Sequence, residues 1–182
     1  MAVERTVESQ EIYRGRVVSL RVDTVELPDG FRTRREIVVH GEAVAVVPVL
    51  ADGRVVLVRQ FRKPAGSELI EIPAGGVEPD EDPEACVRRE LAEETGFRPG
   101  RLVRLARFYL APGYSTEFMH LYLALDLSPT EGRPEADERI EVLRLPLAEA
   151  VSLIEREEIR DCKTIAGLLL AREFLRREGG LA

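Results

Sequence analysis

Residues Gly75–Phe97, GGVEPDEDPEACVRRELAEETGF, decide the fold. Asp82 and Pro83 predict the start of a helix, because proline is tolerated at the first helical position and acidic residues there suit the helix dipole. The helix is predicted to run to Thr95, since Gly96 can adopt the left-handed conformation that closes many helices. A charged helix between two glycine-containing segments is therefore the first element predicted.

One face of this helix carries four charged residues. At about 100° per residue, an arc of about 140° contains Arg89, Glu90, Glu93 and Glu94. A solvated acidic face is the ordinary interpretation, but the like-charged i,i+4 pair Glu90 and Glu94 is unfavourable unless something neutralises it. Arg89 cannot satisfy three carboxylates. A hard divalent cation can, because Mg²⁺ takes carboxylate oxygens and shares its coordination sphere with phosphate.

The complete pattern matches the Nudix box, the motif of a known hydrolase family. The matching residues are Gly75, Glu81, Arg89, Glu90, Leu91, Glu93, Glu94, Gly96 and Phe97. Nine fixed positions make this resemblance specific. It implies the Nudix fold, an α/β/α sandwich with a mixed sheet in the α/β (α+β) class. It also implies an enzyme that hydrolyses the diphosphate of a nucleoside diphosphate linked to another moiety.

The resemblance assigns a role to each residue of the box. The implied ligands of Mg²⁺, for which Mn²⁺ is an alternative, are Glu90, Glu94, Glu93 and the carbonyl of Ala74. Glu93 and Arg89 are also implied to be catalytic, with Arg89 orienting the glutamates. Glu81 is implied to brace the box, and Gly75 and Gly96 to allow the loop shapes at its two ends.

A second segment resembles the ADP-ribose pyrophosphatase branch of the family. Pro112 follows Phe97 by fifteen residues, within a loop that spans 111–117. Ala111 stands where that branch usually has serine. Pro112 and Gly113 are therefore predicted to bind substrate, although a Pro-Gly pair without the box would indicate only a turn.

A third segment, Val58–Arg62 together with Leu69–Gly75, resembles the same branch. In that branch an arginine of the first piece contacts the substrate phosphate. Arg62 and Arg59 are therefore predicted to do so by bidentate hydrogen bonds. The alternative is that both are ordinary charges at the end of a strand.

A fourth segment, the acidic loop 134–138, stands where the branch supplies an acid that orients or deprotonates the attacking water. Glu138 is the predicted residue, with Asp137 and Glu135 as open alternatives. His40 and His120 have no nucleophile around them in the sequence and are predicted to be structural.

The predicted reaction is hydrolysis of ADP-ribose, a small-molecule nucleotide sugar, to AMP and ribose 5-phosphate. FAD, NADH and diadenosine polyphosphates remain alternatives, because the box meets the same diphosphate in each. A non-catalytic sensor domain is disfavoured by the intact box. The aromatic residues that could stack on adenine, or instead fill the core or surface, are Tyr13, Phe31, Phe61 and Tyr114.

Two portions are predicted along the chain. Residues 11–40 alternate in the manner of strands around a turn at Pro28–Gly30, so residues 1–41 are predicted to form a small antiparallel β portion and residues 42–182 the Nudix domain. Ala43–Leu50 predicts a strand buried on both faces, whereas 59–67 predicts a loop and Ala74–Gly76 a flexible turn. The resemblance implies that residues 1–41 pack across a homodimer and help to bind the adenosine end.

Composition narrows the partners. The 182 residues carry a net charge of −7, without the basic stripe that nucleic-acid binding needs. No apolar run approaches a membrane span and no signal peptide is recognised. Cys86 and Cys162 lack metal-site or disulfide spacing, which favours a reducing, cytoplasmic location.

Overall fold

A computed structural model describes residues 3–132 and 139–179. The three loop acids proposed for the attacking water, Glu135, Asp137 and Glu138, lie outside the described residues. The chain divides into two compact units. The first is Met1–Glu42 with Phe108–Met119, and the second is Ala43–Arg107 with His120–Ala182.

The first unit contains a three-stranded antiparallel sheet. Its strands are β1 (Arg5–Arg14), β2 (Ser19–Glu26) and β3 (Arg32–Val39), in the order β1-β2-β3. The predicted turn at Pro28–Gly30 joins β2 to β3. The sequence pattern predicted strands only from residue 11, whereas β1 begins at Arg5. The start of β1 was missed because every residue of this strand is exposed, which leaves little apolar alternation to detect.

The second unit contains most of the core. The strands that lie wholly or mostly in this unit are β4 (Glu42–Pro48), β5 (Arg54–Arg62), β6 (Ser67–Glu71), β7 (Ala74–Gly76), β8 (Phe97–Tyr109), β9 (Phe118–Pro129) and β10 (Glu141–Pro146). Two sheets form, in the orders β10-β5-β6 and β7-β4-β9-β8. β4 is buried on both faces from Ala43 to Pro48, as predicted.

Among the described residues, three helices cover these sheets: α1 (Pro83–Thr95), α2 (Leu147–Glu155) and α3 (Cys162–Arg177). Val44 and Val46 of β4 belong to the same buried cluster as Val87 and Leu91 of α1. On the other face of β4, a Cβ built on Gly167 of α3 would lie 3.0 Å from Val47 Cγ2. Helices therefore pack on both faces of the strand, and the predicted α/β (α+β) sandwich class is confirmed.

The ends of α1 are those predicted. The Asp82 carboxylate accepts hydrogen bonds from the Glu84 and Ala85 amides at 2.9 and 3.3 Å. Gly96 closes the helix in the left-handed region with φ of 71°. The caps fix where the helix starts and stops, and so fix which side chains share a face.

Two predictions of local structure were wrong. Ala74–Gly76 is not a flexible turn but strand β7, in register with Ala43–Ala45 of β4. Residues 59–67 are not all loop, since β5 continues to Arg62 and β6 begins at Ser67. Ala74–Gly76 is held by backbone pairing to a distant strand, and Arg59–Arg62 pairs with β6 in a hairpin, and small or charged residues give little sign of either pairing.

Candidate active site

The box carboxylates lie at different depths along α1 and the loop before it. Glu94 is 5% exposed, although it is charged. The Glu90 side chain is 14% exposed and that of Glu93 35%. Val87 and Leu91 are fully buried, so the charged face of α1 begins directly beside the core.

Arg89 joins three of these carboxylates. It donates from Nε and Nη2 to the two Glu81 oxygens at 3.0 and 2.9 Å. Its Nη1 donates to Glu90 at 2.6 Å and to Glu93 at 3.2 Å. Glu81 therefore fixes the plane of the guanidinium, and the other edge of the guanidinium fixes Glu90 and Glu93. This geometry suits the orienting role that the resemblance implies for Arg89, which stays a prediction.

The Glu81–Arg89 pair has a measurable consequence for stability. Hydrogen bonding from Arg89 lowers the pKa of Glu81 from 4.5 to about 2. Because the folded-state pKa is depressed, the pair stabilises the fold above the unfolded value and loses that contribution as the pH falls from about 4.5 towards 2. In Glu81→Gln we expect a shallower loss of unfolding free energy on acidification.

Urea denaturation of both proteins at several pH values between about 5 and 3 measures this difference. Equal slopes for wild type and Glu81→Gln would contradict the assignment of Glu81 as the acid-sensitive partner of Arg89.

Strand β7 brings the backbone before the box against two of its glutamates. The Ala74 amide donates to Glu94 Oε2 at 3.2 Å. At Gly75, an added Cβ would overlap the Glu90 carboxylate group. Any side chain at this position would therefore displace the Glu90 carboxylate, whereas the backbone conformation itself does not call for glycine. Glu90, Glu94 and the Ala74–Gly75 backbone form one compact group.

The residues of this group fit a divalent cation. The atoms that could coordinate the cation are carboxylate and carbonyl oxygens, which Mg²⁺ prefers as ligands. Several carboxylates here share the single guanidinium of Arg89, so a cation would relieve their repulsion. Within residues 3–132 and 139–179, however, no three His, Cys, Asp or Glu side chains already converge as a metal site. The ligand set stays a prediction.

A cleft of 660 Å³ borders the charged side of α1. Arg89 and Glu93 line it from the box, and Arg98 and Thr130 line it from β8 and the end of β9. This volume is in the range of small-molecule sites. Arg89 and Glu93 therefore face a space large enough for a nucleotide, whereas Glu90 and Glu94 do not line it.

The two arginines predicted to bind phosphate have different surroundings. Arg59 pairs with its cross-strand neighbour Glu141 at 2.8 Å, and both side chains are exposed. Arg62 instead donates from Nε and Nη2 to the two oxygens of Glu71, at 2.9 and 2.8 Å. The hydrogen bond to Glu71 raises the pKa of Arg62, and the charge of Glu94 adds a smaller contribution in the same direction, which relates Arg62 to the box.

Pro112 and Gly113 belong to the other unit. Their loop closes through hydrogen bonds from the Tyr114 and Ser115 amides to the Ala111 carbonyl, at 3.1 and 2.9 Å. The loop then pairs with β3, where Val38 donates to the Tyr114 carbonyl at 2.8 Å. A structured turn at Pro112 is thus present, and its contact with substrate stays a prediction.

The remaining candidates from the sequence are four aromatic residues and two histidines. The aromatic residues named for adenine stacking are all exposed, so none fills the core: Tyr13, Phe31, Phe61 and Tyr114. His40 contacts the backbone of Gly41 at 2.8 Å, and His120 is buried in β9. Sequence reasoning missed Glu71 as a buried acid, and it missed Lys163, which bonds Glu71 at 2.7 Å from 92 residues away. No local pattern marks that pair.

Two models of known protein families match the chain. The NUDIX domain model matches residues 39–167, and a model described as the nucleoside diphosphate sugar hydrolase N-terminal domain matches residues 4–38. In the part of the chain that the structure describes, no helix is long and apolar enough to cross a membrane.

Individual relatives share most of the chain. An ADP-ribose pyrophosphatase of Bacillus subtilis is 43% identical over 163 residues, 88% of each chain. A GDP-mannose pyrophosphatase of Citrobacter koseri is 38% identical, over 75% of this chain and 76% of its own. The crystal structure of an ADP compounds hydrolase superposes with a TM-score of 0.89 at 26% identity, covering 98% of this chain and 97% of that one.

Proposed function

The chain belongs to the Nudix family of pyrophosphohydrolases, and we propose that it hydrolyses ADP-ribose to AMP and ribose 5-phosphate with Mg²⁺. The observation that carries the proposal is the intact box, with Glu90 and Glu94 gathered against the Ala74–Gly75 backbone. Two matches support a nucleotide-sugar substrate: the N-terminal model is named for nucleoside diphosphate sugar hydrolases, and the Bacillus relative for ADP-ribose.

The metal would be held by Glu90, Glu94, Glu93 and the carbonyl of Ala74, and would supply charge neutralisation and an activated water. The chain's own side chains have separate tasks. Arg89, anchored by Glu81, holds the carboxylates of Glu90 and Glu93 in place. Arg62, whose pKa is raised by Glu71 and to a smaller extent by the charge of Glu94, offers a planar fork of N–H donors suited to a phosphate. Glu138 is proposed to orient or deprotonate the attacking water.

A second candidate substrate is GDP-mannose, because GDP-mannose pyrophosphatases also match the chain at 38% identity. Both compounds present a diphosphate between a nucleoside and a sugar. The box acts on the diphosphate alone, so the nucleoside and the sugar must be distinguished elsewhere.

A substrate panel tests the proposed function. The protein is incubated with ADP-ribose, GDP-mannose, FAD, NADH and diadenosine polyphosphates, each with Mg²⁺, with Mn²⁺ and with EDTA. We expect ADP-ribose with Mg²⁺ to give AMP and ribose 5-phosphate fastest, and EDTA to stop the reaction. A faster reaction of another compound would overturn the substrate assignment and keep the diphosphate chemistry. No cleavage under any condition would favour a sensor domain.

Assembly is proposed to be a homodimer through residues 1–41, the N-terminal β portion. β1 is exposed along its whole length, including Val7, Ile12 and Tyr13 at 40%, 49% and 58%. Apolar residues on an open strand are a common basis for association between chains. Light scattering at micromolar concentration is expected to give twice the chain mass of 20.4 kDa, and a stable monomer would contradict the proposal.

A further inference from the structure

Arg62 is held by a carboxylate that is almost completely buried. The Glu71 side chain is 1% exposed, whereas that of Arg62 is 40% exposed. Both Glu71 oxygens accept from the Nε–Nη2 edge of the guanidinium, at 2.9 and 2.8 Å. Two of the five N–H donors are used in this way, and the guanidinium is oriented by its inner edge. The edge formed by Nη1 and Nη2 is the one that remains geometrically suited to a second bidentate partner.

A second cation shares the same carboxylate. Lys163 Nζ lies 2.7 Å from Glu71 Oε2 and 2.9 Å from Asp161 Oδ2, and its side chain is 12% exposed. Burial alone would raise the pKa of Glu71, but the hydrogen bond from Arg62 and the charge of Lys163 outweigh it and hold the pKa below its usual value. Glu71 is therefore charged, and its charge is divided between two cations.

The start of α3 supplies these contacts. Asp161 caps the helix by accepting from the Thr164 amide at 3.0 Å. The fully buried Thr164 accepts through Oγ1 from the Ile72 amide at 2.9 Å. One turn of helix thus fixes both the Glu71 side chain and the Ile72 backbone, two residues before Ala74.

We propose that Lys163 is a positioning residue that, by sharing the Glu71 carboxylate and pairing with Asp161, leaves Arg62 oriented and its positive charge available to bind the substrate diphosphate. Without Lys163, the carboxylates of Glu71 and Asp161 would outnumber the guanidinium of Arg62 by one negative charge and would oppose the binding of a phosphate. With Lys163 present, the two cations balance the two carboxylates, and Arg62 is the one of the two cations that is substantially exposed. The inference rests on the proposed action of the chain on a diphosphate.

The chain offers a matched control, because it has only two lysines. Lys63 is exposed and follows Arg62 directly. Lys163→Met and Lys63→Met make the same chemical change and the same change in net charge. Affinity is measured by isothermal titration calorimetry with the non-hydrolysable α,β-methylene analogue of ADP-ribose. We expect about tenfold weaker binding for Lys163→Met, about wild-type binding for Lys63→Met, and substantial recovery in Lys163→Arg.

Steady-state kinetics provide the readout that a merely structural role would not separate. Lys163→Met is expected to raise KM for ADP-ribose with little change in kcat, because lost attraction for the diphosphate weakens ground-state and transition-state binding alike. A fall in kcat at unchanged KM would overturn the proposal. Circular dichroism and thermal melting verify that each variant is folded before its affinity is compared.

A double-mutant cycle tests whether Lys163 acts through Arg62. In an Arg62→Ala background, Lys163→Met should weaken analogue binding no further, since its target is gone. An equal loss in both backgrounds, or wild-type affinity in Lys163→Met, would overturn the inference. Turnover by the wild-type protein judges the proposed function separately, because the affinity ratios are read without hydrolysis.

Discussion

Glu94→Gln is expected to lower kcat for ADP-ribose at least several hundredfold while leaving the fold intact. Glu94 is 5% exposed and accepts from the Ala74 amide at 3.2 Å. Glutamine keeps the size and the accepting oxygen but removes the negative charge. A loss of several hundredfold corresponds to about 3.5 kcal/mol of transition-state stabilisation, a reasonable effect for the removal of one charged metal ligand.

The control for this variant is Glu84→Gln on the same helix. Glu84 is exposed in the first turn of α1 and does not belong to the proposed site. It should keep nearly wild-type activity, so the comparison separates a local charge effect from a general effect on the helix. Single-turnover kinetics with saturating Mg²⁺ measure the chemical step. Near-wild-type turnover of Glu94→Gln would remove Glu94 from the proposed ligand set.

The box helix was predictable because its signals are local. Asp82, Pro83 and Gly96 fix its ends within the helix's own sequence, and the spacing of Val87 and Leu91 fixes which side is buried. Fixed ends and a fixed buried side determine the charged face by geometry alone. The same local logic located the turn at Pro28–Gly30 and the doubly buried strand β4.

The features that sequence reasoning missed depend on partners far along the chain. β7 is a strand because Ala74–Gly76 pairs with Ala43–Ala45. A segment of one alanine and two glycines gives no sequence signal of this pairing. Lys163 meets Glu71 across 92 residues through the cap of α3. Exposed β1 lacks a regular alternation of apolar and polar residues, so only its pairing with β2 defines it. Register and tertiary contact decide each of these features, and periodicity does not detect them.

The backbone contact at Gly75 leads to the second large effect. Gly75→Ala is expected to reduce kcat at least a hundredfold, about 2.7 kcal/mol, with little change in unfolding free energy. A Cβ at this position would overlap the carboxylate of Glu90. The overlapping group is the far end of a flexible side chain, so it can move aside without disturbing the fold. In moving, Glu90 would leave the position that Arg89 and β7 give it.

Gly76→Ala is the matched control, because it makes the same change one residue later in the same strand, where an added Cβ meets nothing within 4 Å. Glycine-to-alanine changes in extended backbone affect the unfolded chain similarly, so the two variants should differ in activity and not in stability. If Gly75→Ala lost activity only in proportion to lost stability, the close approach of Glu90 would be irrelevant to catalysis. If both variants were fully active, catalysis would not depend on the position that Glu90 occupies beside Gly75.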